Sequence, residues 1–127
     1  MDHSATLIGH KIGFFGGWDC KRTHNDFWVF DTGCIINLIK TKEPCKAQFF
    51  SNTTNHFLET SGWVRPRTAG PTPASRRGHT ATLLKDGGLI IFGGYNVTDG
   101  QLPRYLQDVM ELNLEKMEWT RLCGRYV

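Results

Sequence analysis

No stretch of this 127-residue chain is apolar for long enough to cross a bilayer, so a helical membrane span is not expected. The first residues lack the basic start, apolar core and small-residue cleavage site of a secretory leader, because Met1-Asp2-His3 runs straight into a strand-like segment. An intracellular, cytoplasmic location is the expectation. Cysteine is sparse: Cys20, Cys34, Cys45 and Cys123 are scattered, and none stand in C-x-x-C spacing. That speaks for free thiols in a reducing compartment and against a disulfide framework. Neither sign of charge dominates, since 15 Lys and Arg against 12 Asp and Glu leave +3, which gives no strong footprint for nucleic acid. Helical patterns are hard to place, apart from a turn around Leu106.

What the chain does hold is one pattern written twice. The first copy runs His3-Ser-Ala-Thr-Leu-Ile, then Ile12-Gly-Phe-Phe-Gly16-Gly17-Trp18, then Asn25-Asp-Phe-Trp-Val-Phe-Asp31. The second runs His79-Thr-Ala-Thr-Leu-Leu, then Leu89-Ile-Ile-Phe-Gly93-Gly94-Tyr95, then Gln107-Asp-Val-Met-Glu-Leu-Asn113. Trp63 and Trp119 follow the two copies. Self-similarity of this kind marks a repeat architecture and outranks local readings.

Period and length assign strands. Ser4–Ile8 and Thr80–Leu84 are short, apolar or β-branched, and end at turn residues. Their partners are Lys11–Phe15 and Gly88–Phe92, reached by tight turns at Gly9-His10 and Lys85-Asp86-Gly87. Phe27–Asp31 and Val109–Asn113 are third strands, and Trp63–Arg65 and Glu118–Leu122 fourth strands.

The chain resembles the kelch repeat. Gly70-Pro-Thr-Pro-Ala-Ser-Arg-Arg-Gly-His79 matches that family's lead-in pattern G-x-x-P-x-x-R-x-G-H at Gly70, Pro73, Arg76, Gly78 and His79. Gly93-Gly94-Tyr95 and Trp119 complete the second repeat, and Gly16-Gly17, Asn25-Asp26 and Trp28 carry the first. The resemblance implies an all-β fold, with two four-stranded antiparallel blades of a β-propeller. It also divides the chain into a first repeat at 1–32, a non-repeat insert at 33–62, and a second repeat with the start of the next blade at 63–127.

Most marked residues have a scaffold role in this reading. A glycine pair allows a sharp turn and close approach of a neighbouring blade, and Trp and Tyr supply apolar faces between sheets. His3 and His79 are expected to pack or hydrogen-bond rather than bind metal or move protons. Asp26 and Asp108 are expected to accept backbone hydrogen bonds in the turn before the third strand.

Two departures from the family pattern stand out. The first copy takes 32 positions from Asp31 to Trp63, where the second takes 6 from Asn113 to Trp119. The extra residues read as a binding loop, a bland insert, or coding noise such as a translated intron, with the last two favoured. The first copy also lacks the lead-in motif, and the chain stops where a third would be due. Propellers close with about 4–8 blades, so self-association to complete a propeller, or a place in a larger protein, is expected.

Other motifs carry less. Cys34, Cys45 and His56 fit no common zinc spacing, and with no leader expected, Asn52-Thr-Thr and Asn96-Val-Thr read as chance sequons. Arg65, Arg67, Arg76 and Arg77 form a basic cluster whose phosphate reading is weakened because the repeat pattern already uses Arg76. Lys40, Lys42 and Lys46 read as a solvated stretch.

The resemblance implies a protein–protein interaction module whose partner is a protein, without cofactor, metal, nucleic acid or membrane. Face loops would include Asp19–Asn25 and Asn96–Tyr105, with Lys21, Arg22, Arg104 and Tyr105 as contact residues, since Arg and Tyr are enriched at binding hot spots. The family includes scaffold and substrate-recognition parts of larger proteins. The alternative is a truncated or aberrant product without independent function. A kelch-type metal-dependent enzyme ranks below both, because Tyr95 occupies a structural position and the iron-type spacing of Glu, Asp and His is missing.

Overall fold

The computed structural model describes residues 1–33 and 62–123. Ten strands account for them. β1 (Ser4–Ile8), β2 (Lys11–Trp18), β3 (Thr23–Asp31) and β4 (Trp63–Val64) form an antiparallel sheet in that order. β5 (Thr80–Leu83), β6 (Gly88–Phe92), β9 (Val109–Asn113) and β10 (Glu118–Cys123) form a second, in the order β5-β6-β9-β10. Between β6 and β9 the chain makes a two-stranded ribbon of β7 (Tyr95–Asn96) and β8 (Arg104–Tyr105). The architecture is all-β, as the repeat reading expects, and consistent with kelch blades.

Local chemistry sets the turns. Gly9, at φ 62°, lets β1 fold back so that Ile8 faces Lys11. Asp19 closes the β2–β3 turn by accepting from the backbone N–H groups of Lys21 and Arg22 at 2.9 and 2.8 Å. Asn113 does the same for Glu115 and Lys116 at 3.0 and 2.9 Å.

Alternation then decides the faces. On β3, Phe27 and Val29 are buried while Trp28 and Phe30 turn to the other side. The core fills the space between the two sheets. Phe15, Phe27, Val29 and Val64 come from the first, and Leu89, Ile91, Met110, Leu112 and Trp119 from the second. Phe15 meets Trp119 with ring centroids 5.3 Å apart. β1 and β5, the first strand of each sheet, run beside one another.

Five details differ from the sequence reading. β2 continues to Trp18, past an irregularity between Phe15 and Gly17, and β3 begins at Thr23. The fourth strand of the first sheet ends at Val64, and β5 ends at Leu83 because Leu84 opens the turn, its N–H donating to Gly88 O at 2.7 Å. Around Leu106 the chain is extended rather than helical. Its side chain is buried and its N–H donates to Gly94 O at 2.9 Å. Of the expected insert, only Gly33 and Gly62 lie within the described residues, as do none of Cys34, Cys45 and His56. Among the described residues no helix is long and apolar enough to cross a membrane, and Cys20 and Cys123 are free and exposed.

Candidate functional site

The lead-in segment from Arg65 to His79 ties the sheets together. Ala69 lies against β10, its N–H donating to Met117 O and its carbonyl accepting from Trp119 N–H, both at 2.9 Å. Gly70 follows against the Trp119 backbone. Pro73 is buried and its carbonyl accepts from Asn25 Nδ2 at 3.2 Å. Ser75 is reached from the first sheet and from the ribbon, by Thr23 Oγ1 at 3.2 Å and by Asn96 Nδ2 at 2.7 Å on its hydroxyl.

Arg76 is the centre of this arrangement. Its backbone belongs to the first sheet: its N–H donates to His24 O and its carbonyl accepts from Gly17 N–H, both at 2.9 Å. Its side chain belongs to the second. Nη1 and Nη2 donate to the two carboxylate oxygens of Asp108 at 2.7 and 2.8 Å, and Nη1 also to Gly93 O at 3.0 Å. Nε donates to Ala74 O at 3.0 Å. Both side chains are fully buried, so this is a dry, bidentate, charge-assisted bracket.

The expected roles of the two aspartates are thereby corrected. Asp108 takes a guanidinium, because a planar fork satisfies both carboxylate oxygens at once. Asp26 accepts from the Trp28 indole N–H at 2.6 Å.

His79 sits beneath the bracket. Its Nε2 is 2.8 Å from Ser4 Oγ, and its ring meets Phe15 edge-on at 5.3 Å. Burial pushes its pKa down to about 4, with the Arg76 charge acting in the same direction. It is therefore neutral at neutral pH. His3 stacks near Phe14 at 5.6 Å. The glycine pairs admit the lead-in strand: a Cβ on Gly16 would lie 2.8 Å from Arg76 O, and one on Gly94 2.7 Å from Arg77 O. Gly78 lies against the Tyr95 ring. Trp63 packs against Phe14 and Phe30 with centroids 5.2 and 4.9 Å apart.

At the end of the sheets where β2 leads to β3, and β6 to β9, a row of side chains crosses the junction. Arg77 holds Tyr95 by two backbone hydrogen bonds, at 2.9 and 3.0 Å. Its guanidinium lies 4.2 Å from the Trp18 ring centroid and 5.5 Å from that of Tyr95, and it pairs with Asp2. Tyr95 in turn meets Tyr105 at 5.9 Å. Trp18 Nε1 and Arg77 Nε are buried without a hydrogen-bond acceptor among the described residues.

Of the four expected contact residues, Arg104 and Tyr105 stand together and exposed on β8, Tyr105 with 63% of its surface accessible. Lys21 and Arg22 are exposed on the turn that Asp19 closes. The backbone N–H groups of Arg22 and Lys21, and then His24 at 3.0 Å, hold the Asp19 carboxyl well below the usual carboxylate range. The sequence reading named the loops but missed the Trp18–Arg77–Tyr95 row. Its signal was present: Trp18 and Tyr95 each follow a double glycine.

The basic cluster is split by the fold. Arg76 is buried and Arg77 stacked. Arg65 lies 5.8 Å from the Trp28 ring centroid, and with Arg67, Thr68, Thr72, Asn25 and Asp26 it lines an outer cavity of about 220 Å³. Among the described residues no three His, Cys, Asp or Glu side chains gather as a metal site.

Comparison with known proteins places this geometry. Residues 1–122 match the family model of the KLHDC2/KLHL20/DRC7 Kelch-repeats domain. The chain is 36% identical over 123 residues to human Kelch domain-containing protein 3, covering 97% of this chain and 25% of that protein. It is 32% identical over 120 residues to the Rho GTPase-activating protein gacHH of Dictyostelium discoideum, covering 94% of this chain and 6% of that one. Tip elongation aberrant protein 3 of Schizosaccharomyces pombe is 30% identical over 130 residues, with 98% and 11% covered. The chain thus spans a quarter or less of the length of these relatives.

Proposed function

The chain belongs to the kelch-repeat family, and from that premise we propose that it is a protein-interaction module whose contact surface is the loop end of the two sheets. Domains of this family serve generally as protein-interaction modules rather than catalysts. The observation that carries the reading is the row Trp18, Arg77, Tyr95 and Tyr105, flanked by exposed Arg104 and by Lys21 and Arg22. Aromatic and arginine side chains held rigidly at a surface lose little entropy on binding, which is what hot spots require. The Arg76–Asp108 bracket fixes the two contributing loops relative to each other. The module would serve as a scaffold or substrate-recognition part of a larger protein.

The test is substitution of Lys21, Arg22, Arg104 and Tyr105 by alanine. The melting temperature should move by only a few degrees, since Lys21, Arg22 and Arg104 are exposed and Tyr105 loses a single ring contact with Tyr95, while proteins captured and identified with the unaltered chain should bind at least about tenfold more weakly, matching the loss of one hot-spot contact. Unchanged capture by the four-alanine chain would sink the reading.

A further inference from the structure

Arg65 and Arg67 are the two cations of the basic cluster that the junction between the sheets does not use. They alternate along the lead-in segment with Pro66, which is buried, and both stay exposed while lining the outer cavity. Among the described residues neither guanidinium joins an ion pair or donates a hydrogen bond. Arg65 stacks near Trp28, which leaves the N–H edge of its planar fork open. Asp26 is the carboxylate on the cavity wall, and it already accepts from Trp28 Nε1 at 2.6 Å. Two guanidinium charges against one carboxylate leave the cavity positive.

Thr72 lines the same cavity. It is exposed, and it is the only Ser or Thr of the chain followed by proline. Pro73 holds it to extended backbone. Among the described residues no hydrogen bond ties the backbone of Gly70, Pro71 or Thr72, and none engages the Thr72 hydroxyl. This stretch can therefore be drawn into the cleft of an enzyme without opening either sheet. Thr68, the other hydroxyl of the cavity, is less exposed and precedes Ala69, whose N–H and carbonyl are both bonded to the β10 side.

We propose that Thr72 is a phosphate-acceptor site for a protein kinase that selects proline after the acceptor, and that Arg65 and Arg67 receive the phosphate once it is attached. In the transfer Thr72 Oγ1 attacks the γ-phosphorus of ATP and forms a new O–P bond. The bond from that phosphorus to the bridging oxygen breaks, ADP leaves, and the hydroxyl proton passes to the kinase. Phosphothreonine brings a charge of about −2 and three acceptor oxygens to a cavity edged by two open guanidinium forks. The modification draws the Thr72 stretch back onto Arg65 and Arg67 and shortens the free length of the lead-in segment.

The experiment incubates the full chain with Mg-ATP and a purified proline-directed kinase of the cyclin-dependent class. Peptide mass spectrometry should find phosphate on Thr72 and none in Thr72→Val. The phosphorylated chain should melt about 4 °C or more above the unphosphorylated one, as one charge-assisted hydrogen bond implies. That difference should vanish when Arg65→Gln and Arg67→Gln are combined, each form being compared with its own unphosphorylated chain.

A second measurement works without a cooperative melt. The second pKa of phosphothreonine, followed by phosphorus NMR, is about 6 when free. In the unaltered chain it should lie about half a unit or more lower, because the guanidinium charges favour the dianion. The charged groups lining the cavity are Arg65 and Arg67 from the lead-in segment and Asp26 from β3, and Asp26 acts in the opposite direction. In the double variant the pKa should return to its free value or rise above it. No phosphate on Thr72, an equal melting shift in the double variant, or an equal titration overturns the proposal.

Discussion

Arg76 and His79 show how residues three apart divide the work of joining two sheets. A buried ion pair is a weak source of net stability but is costly to break, because the surviving charge keeps its desolvation penalty. Arg76→Ala should therefore cost about 3–5 kcal/mol in urea unfolding, a large share of the stability of an ordinary domain. Arg76→Met with Asp108→Leu removes both charges and should cost much less. If the single and double variants lose the same stability, the pair is not the bracket described. His79 adds a pH dependence of definite sign. Its pKa is about 4 in the fold against 6.5 when free, so between those values the unfolded chain binds the extra proton. Stability should be level above pH 6.5 and fall as the pH drops from 6.5 towards 4. His79→Asn should flatten that part of the curve of melting temperature against pH.

At the scale of elements, the strands were legible because hydrophobic alternation and punctuation recur in both copies. What was not legible lay where pattern is short or partners are remote. β7 and β8 are two residues each and have no period to read. Leu106 suggested a helical turn because nothing in its neighbours shows that Gly94 O accepts its N–H. Asp108 and Arg76 are 32 residues apart, so their pairing depends on which strands stack, not on local sequence. The loop residues Arg104 and Tyr105 could be picked by residue type alone; the row that supports them could not. The glycine pairs separate by environment. Gly94, at φ 85°, has Arg77 O and His79 around the place of a Cβ, whereas Gly100, at φ 75°, has nothing within 4 Å. Gly94→Ala should cost more than the ~1–2 kcal/mol of a left-handed alanine, and Gly100→Ala no more than that. Reversed denaturant midpoints would contradict the close approach of the lead-in strand.

For the whole molecule, the decisive feature is that each sheet is complete in itself while the core is not. Phe15, Phe27 and Val29 belong to the first sheet, yet they are covered by side chains from the second. On a ribosome this becomes a matter of time. Trp119 is made roughly 90 residues after Val29, which at about 5–20 residues per second leaves the nascent aromatic surface bare for roughly 5–20 s. During that interval the emerging polypeptide presents a sticky hydrophobic plane to its surroundings, and holding chaperones have their window of action there. The rank of a blade in the order of synthesis therefore determines how long it waits for its cover.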